Sequence, residues 1–138
     1  KVGNVTLVIG GEGEMKGSLE EFASLLGIEG KVQFTGFIPR SELGDYYSSA
    51  DLVVSPSVSE PFGLTITEAL HSGTHVAATE NGVEEIIPDE YITSIEPGSD
   101  SIAEGIIQGL KQPSNELSEV RTWQDMSEEV MQVYSDLS

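Results

Sequence analysis

The chain has 138 residues, of which 38% are apolar and none is cysteine, which fits one folded domain with a real core and removes disulfides, thiolate chemistry and Cys-ligated zinc. Its 24 Asp and Glu against six Lys and Arg give a formal charge of −18, which argues against DNA or RNA as a partner, since such binding rests on basic side chains neutralising phosphate. No apolar run approaches the roughly 20 residues a membrane helix needs, no signal-peptide pattern follows Lys1, and a cytoplasmic location is expected.

Val5-Thr6-Leu7-Val8-Ile9 is a β-prone run ended by Gly10-Gly11, and its continuous apolar character predicts a strand buried on both faces. Leu19, Phe22, Ala23 and Leu26 follow at helical spacing and Gly27 closes that helix. A second strand is expected at Val32–Phe34, then a helix opened by Ser41 and Glu42 that carries Leu43, Tyr46, Tyr47 and Ala50. Leu52-Val53-Val54 reads as a third strand, Ile66, Ala69 and Leu70 as a helix ended by Gly73, and His75–Ala78 as a fourth strand. A short helix near Val83–Ile87, a fifth strand at Ile92–Ile95 and a helix through Ile102, Ile106 and Leu110 complete the pattern before Pro113. Residues 114–138 carry apolar positions at intervals of three and four and read as a separate helical segment.

Strands alternating with helices through short loops predict an α/β fold, a Rossmann-like parallel sheet with helices on both faces, over residues 1–113. Ligands in such sheets bind outside the carboxyl ends of the strands. The loops in that position are Gly10 to Gly13, Gly36 to Arg40, Ser55 to Gly63 and Thr79 to Gly82. The stretch "GGEGEMKG" approaches a dinucleotide fingerprint, but Lys16 stands where its third glycine belongs, so it reads as a tight turn with its backbone near a ligand. His71 and His75 lie four apart, but Gly73 breaks the helix that would align them on a metal. No metal site and no cofactor are expected.

Glu60 and Glu68 have seven residues between them, a spacing this Glu-rich chain repeats at Glu12/Glu20, Glu21/Glu29 and Glu96/Glu104. Context separates the first pair. Glu60 sits just past a strand's carboxyl end, Pro61 stiffens the turn, and Gly63 lets backbone approach a ligand closely. The helix then begins and leaves N–H groups near Gly63 to Thr65 without internal partners, an anion site by charge and by dipole. Glu68, about one turn on, could accept hydrogen bonds from two vicinal hydroxyls. An anion cradle between two hydroxyl-binding carboxylates suits a nucleotide-diphosphate sugar; the alternative is a surface turn with solvated acids.

The stretch "SEPFGLTITEALHSGTHVAAT" closely resembles the signature of retaining GT-B glycosyltransferases of family 4, or group 1. "LVIGGEGEMKG", "FTGFIPRSELGDYYSSADLVVSPS" and the Trp-bearing "TWQDMSEEVMQVYSDL" resemble the same family's C-terminal, donor-binding domain. The resemblance implies transfer of a hexosyl unit from a nucleotide-diphosphate sugar to an acceptor with retention of configuration. It places the donor sugar at the catalytic position Glu60, sugar and phosphates at the backbone of Phe62, Gly63, Leu64 and Thr65, the ribose at Glu68, and the base beside Ile38 and Arg40, with Gly11 in the first loop. It also implies an acceptor-binding N-terminal domain and phosphate-binding Arg and Lys upstream of Lys1, a missing first strand-helix unit, and any peripheral membrane contact only through the missing part. The chain is therefore expected to be inactive alone. A GT-B sugar epimerase and a non-catalytic nucleotide-sugar-binding module are the alternatives. The family often has Pro where Thr74 stands and Gly-Gly at Asn81-Gly82. The acidic charge is read as halophilic adaptation, the alternative being an ordinary acidic protein.

Overall fold

The structure is a computed structural model that describes residues 5–58, 63–79, 87 and 89–113. The chain divides into two compact units, Lys1–Tyr46 and Tyr47–Ser138.

The first unit contains β1 (Leu7–Gly10), α1 (Lys16–Leu25), a single 3-10 turn at Glu29–Lys31, β2 (Val32–Gly36) and the start of α2 (Arg40–Ser49). β1 and β2 pair in parallel, Leu7 opposite Val32 and Ile9 opposite Phe34, after which the register slips so that Gly10 faces Gly36. Thr35 is thus the extra residue of a bulge, the device that bends a strand at its end. The Thr35 hydroxyl lies 3.2 Å from the carbonyl oxygen of Gly36. α1 closes with Gly27 N–H donating to Ser24 O and Ile28 N–H to Ala23 O, at 2.9 and 3.0 Å, the paired bonds of a Schellman motif.

Burial here corrects one expectation. β1 is not buried on both faces, for Leu7 and Val8 are 49% and 46% exposed. Among the described residues β1 pairs with β2 alone, and so few elements within this unit leave side chains uncovered. On α1 only Ala23 is buried, and Phe22 and Leu26 remain more than half exposed.

The second unit holds β3 (Val53–Ser55), α3 (Leu64–His71), β4 (Val76–Thr79), a 3-10 turn at Asp89–Tyr91, β5 (Ile92–Ile95) and α4 (Ser99–Gly109). Its sheet runs β3-β4-β5, all parallel, with Val53 opposite Val76 and Val76 opposite Ile92. Every residue of β4 is buried. Ile66, Ala69 and Leu70, the three positions read as the apolar stripe of α3, join Val76, Ala78, Ile87 and Ile92 in one core cluster, and Tyr47, Val53 and Tyr91 pack against it. Burying such side chains fully contributes about 1.5–3 kcal/mol each.

α4 packs by its glycines. Gly105 and Gly109 are its buried residues, whereas Ile102, Ile106 and Leu110 are half-buried. A Cβ at Gly109 would lie 2.6 Å from Leu52 Cδ1, and one at Gly105 would collide with Ile95 Cγ2. The helix approaches the sheet so closely only because these positions lack side chains.

Charge is unevenly shared. The first unit carries seven acids and four Lys and Arg, a net of −3, and the second seventeen against two, a net of −15. No helix among the described residues is long and apolar enough to cross a membrane. The helix expected at Val83–Ile87, apart from the buried Ile87, and the tail 114–138 lie outside the described residues.

Candidate functional site

In the second unit the candidate site begins at the carboxyl end of β3. Ser55, its last residue, is buried, and the Thr79 hydroxyl at the end of β4 donates to Ser57 O, tying the loop after β3 to the neighbouring strand. Glu60, Pro61 and Phe62 lie outside the described residues. The chain is described again at Gly63, which is buried and left-handed at φ 54°, ψ 39°. A residue with a Cβ adopts that conformation only at a cost, so the turn into α3 calls for glycine.

Gly63 is the N-cap of α3, and its carbonyl accepts from Thr67 N–H at 3.0 Å. No side chain caps the helix among the described residues. The N–H groups of Leu64, Thr65 and Ile66 precede the first internal bond, so they point out of the start of the helix. Leu64 and Thr65 are exposed. Thr67 bonds back to Leu64 O at 3.0 Å and Ser72 to Glu68 O at 3.0 Å, so these hydroxyls serve the helix.

Glu68 is half-buried one turn in from this start. Its Oε2 lies 3.5 Å from the hydroxyl of Tyr47. Burial, then the Glu68 charge, and the hydrogen bond to Glu68 raise the Tyr47 phenol above its ordinary value; a hydrogen bond from Thr65 pulls the other way. The phenol therefore keeps its proton at neutral pH and stays a donor to the carboxylate. Tyr47 was not among the residues singled out by sequence, because the contact joins side chains 21 positions apart.

α3 ends with a second Schellman motif: Gly73 N–H donates to Leu70 O at 3.0 Å and Thr74 N–H to Ala69 O at 3.1 Å. The Thr74 hydroxyl also donates to Tyr47 O at 2.6 Å. A proline at 74 could make neither bond, so the family departure at Thr74 has a structural use. His71 Nδ1 is 2.7 Å from Thr67 O, and His75 Nε2 is 2.9 Å from Thr93 Oγ1. The two rings serve different partners, and among the described residues no group of three or more His, Asp or Glu is placed to hold a metal ion. Burial lowers the His75 pKa below the ordinary imidazole value.

In the first unit, the loops after β1 and β2 meet. Gly11 N–H donates to Gly36 O at 2.7 Å, and a Cβ at Gly10 would lie 2.6 Å from Ile38 Cδ1. Gly11 and Ile38 thus belong to one loop pair at the carboxyl ends of β1 and β2, and Arg40 opens α2 beside it, exposed. A cavity of about 450 Å³ among Ser49, Asp51, Ser72, Thr74 and Gln112 lies at the opposite edge of the second sheet, before β3 and β4. Parallel sheets of this class bind ligands at the carboxyl edge.

Parallel strands joined through helices, with an uncapped helix start beyond a strand's carboxyl end, define a Rossmann-like α/β domain. The fold matches sucrose-phosphate synthase from Thermosynechococcus elongatus, with a TM-score of 0.72 and 27% identity over 97% of this chain and 38% of that one. It also matches Anabaena HepE, solved in complex with UDP-glucose, with a TM-score of 0.74 and 24% identity over 96% of this chain and 41% of that one. Residues 1–130 match the family Glycosyl transferases group 1, and the chain belongs to that family. An uncharacterized glycosyltransferase of Methanocaldococcus jannaschii is 36% identical over 95% of this chain. The alpha-monoglucosyldiacylglycerol synthase of Streptococcus pneumoniae is 39% identical over 77% of it. The chain spans 37% and 24% of the lengths of these two relatives.

Proposed function

We propose that this chain is the donor-binding domain of a retaining glycosyltransferase that moves a hexosyl unit from a nucleotide-diphosphate sugar to an acceptor. The observation that carries the reading is the left-handed, side-chain-free cap at Gly63, which opens the α3 start beyond β3 with Glu68 one turn inside. The diphosphate lies at the N–H groups of Leu64 and Thr65, where donors and helix dipole favour negative charge. Glu68 accepts from the ribose hydroxyls, and Glu60 with the backbone at Phe62 and Gly63 meets the sugar. As the glycosidic bond breaks, charge grows on the leaving diphosphate, and preorganised donors stabilise it there more than in the ground state. The UDP-glucose bound by HepE supports the ligand class. The acceptor is held by a domain outside this chain, in keeping with the span of its relatives.

The test is ligand affinity in the full-length protein. Glu68→Ala weakens both the nucleotide-sugar and the free nucleoside diphosphate, by about 1.5–3 kcal/mol, the range for hydrogen bonds to charged groups. Glu60→Ala reduces sugar transfer and leaves nucleoside diphosphate affinity nearly intact, because that ligand has no sugar. Equal weakening of the diphosphate by both variants overturns the assignment, and circular dichroism checks that both fold. The protein is further proposed to be adapted to high salt, from its charge of −18. The Debye length falls from about 10 Å at 0.1 M to about 3 Å at 1 M, so the thermal midpoint is higher in molar KCl than in dilute buffer. Equal midpoints would remove that reading.

A further inference from the structure

We propose that Tyr47 is a positioning residue of the donor site, whose hydroxyl sets the orientation in which the Glu68 carboxylate meets the ribose. The inference rests on the reading of Glu68 given above. Tyr47 lies on α2 and is half-buried, packed against the core cluster that includes Ile66, Ala69 and Leu70. The core therefore fixes where its oxygen stands. From there the hydroxyl reaches Glu68 Oε2 at 3.5 Å.

Tyr47 donates to Glu68, which as a carboxylate only accepts. Glu68 stands at the proposed ribose position, and the phenol reaches it from another helix. A glutamate side chain has several rotamers to lose when a ligand orders it. A carboxylate held at one oxygen has the direction of the other set in advance, which lowers that cost. At 3.5 Å the contact is long for a hydroxyl on a carboxylate, as site hydrogen bonds often are before ligand tightens them.

A purely structural Tyr47 would act through its ring. The phenol oxygen separates the two roles, because Tyr47→Phe keeps the ring and removes only the hydroxyl. The experiment is titration calorimetry of the full-length protein with UDP, GDP and ADP, taking the tightest binder, on Tyr47→Phe, Glu68→Ala and the double variant. Tyr47→Phe binds about three- to tenfold more weakly, a part of the loss expected when a bond to a charged group is removed. Its thermal midpoint is unchanged, and in transfer assays the donor KM rises while kcat changes little. In the Glu68→Ala background Tyr47→Phe has no further effect, because its action passes through Glu68. Wild-type affinity in Tyr47→Phe alongside weak binding in Glu68→Ala overturns the role of Tyr47 and leaves the ribose assignment standing. Undiminished affinity in both variants, or no binding of any of the three diphosphates by the unmutated protein, overturns both. A Tyr47→Phe loss that persists in full without Glu68 shows the phenol touching the nucleotide itself and overturns positioning.

Discussion

β1 and β4 are both parallel strands, yet their burial inverts what their sequences advertise. Val5 to Ile9 is the more strongly hydrophobic run, and Leu7 and Val8 stand nearly half exposed. β4 is Val-Ala-Ala-Thr and is buried throughout. The difference lies in their neighbours. Among the described residues β1 pairs with β2 alone, whereas β4 has β3 on one side and β5 on the other, and α3 and α4 both contact it. Burial thus follows what surrounds a strand more than the strand's own hydrophobicity. The better-packed unit also carries nearly all the charge, −15 against −3, so its core has to hold against its own surface.

Three perturbations break or sharpen that contrast. The largest effect is expected from Ile66→Ala, which empties a position that is 1% exposed and costs about 2–5 kcal/mol. Phe22→Ala on α1 removes a side chain that is 57% exposed and costs far less. Urea midpoints of the two variants read the difference, and equal losses would show the units to be equally packed. Next come the glycines. Gly105→Ala drives a Cβ into Ile95 and costs about 1–3 kcal/mol as overpacking. Gly44→Ala on α2, where a Cβ meets nothing within 4 Å, stabilises by about 0.4–1 kcal/mol. Opposite shifts in thermal midpoint check the pair. The smallest effect is a pH response at His75. Burial depresses its folded pKa, so the unfolded chain takes up the proton first as pH falls. The neutral ring's contribution is whole above the ordinary imidazole value, about 6.5, and is lost as pH drops below it toward the folded pKa. His75→Gln flattens that part of the stability–pH curve, measured as urea midpoints between pH 7.5 and 5.

The elements were legible because each had a pattern and a stop. The α3 stripe at Ile66, Ala69 and Leu70 is the buried stripe in the structure, and β5 spans Ile92–Ile95 as read. Limits slipped where pairing decides them: β1 starts at Leu7, where its partner Val32 begins, rather than at Val5. On α4 the isoleucines mark the helix, but the innermost positions are Gly105 and Gly109, since periodicity weighs side chains and close approach needs their absence. Of the site, Gly63 as a helix start and Glu68 one turn in could be read from spacing. The contact of Tyr47 with Glu68 could not, because it is made by folding two helices together. Glu60 and Phe62 fall outside the described residues.

The place of β4 between two partners also sets a clock. Its backbone is bonded along both edges, and side chains of 0% exposure at Val76, Ala77 and Ala78 seal it from water. Local fraying cannot free a strand held from both sides, so deuterium reaches its amides chiefly when the unit opens as a whole. Leu7 to Gly10, paired among the described residues with β2 alone, exchange through smaller openings. The slowest amides should thus lie in a strand of alanines, where their lifetimes report global opening.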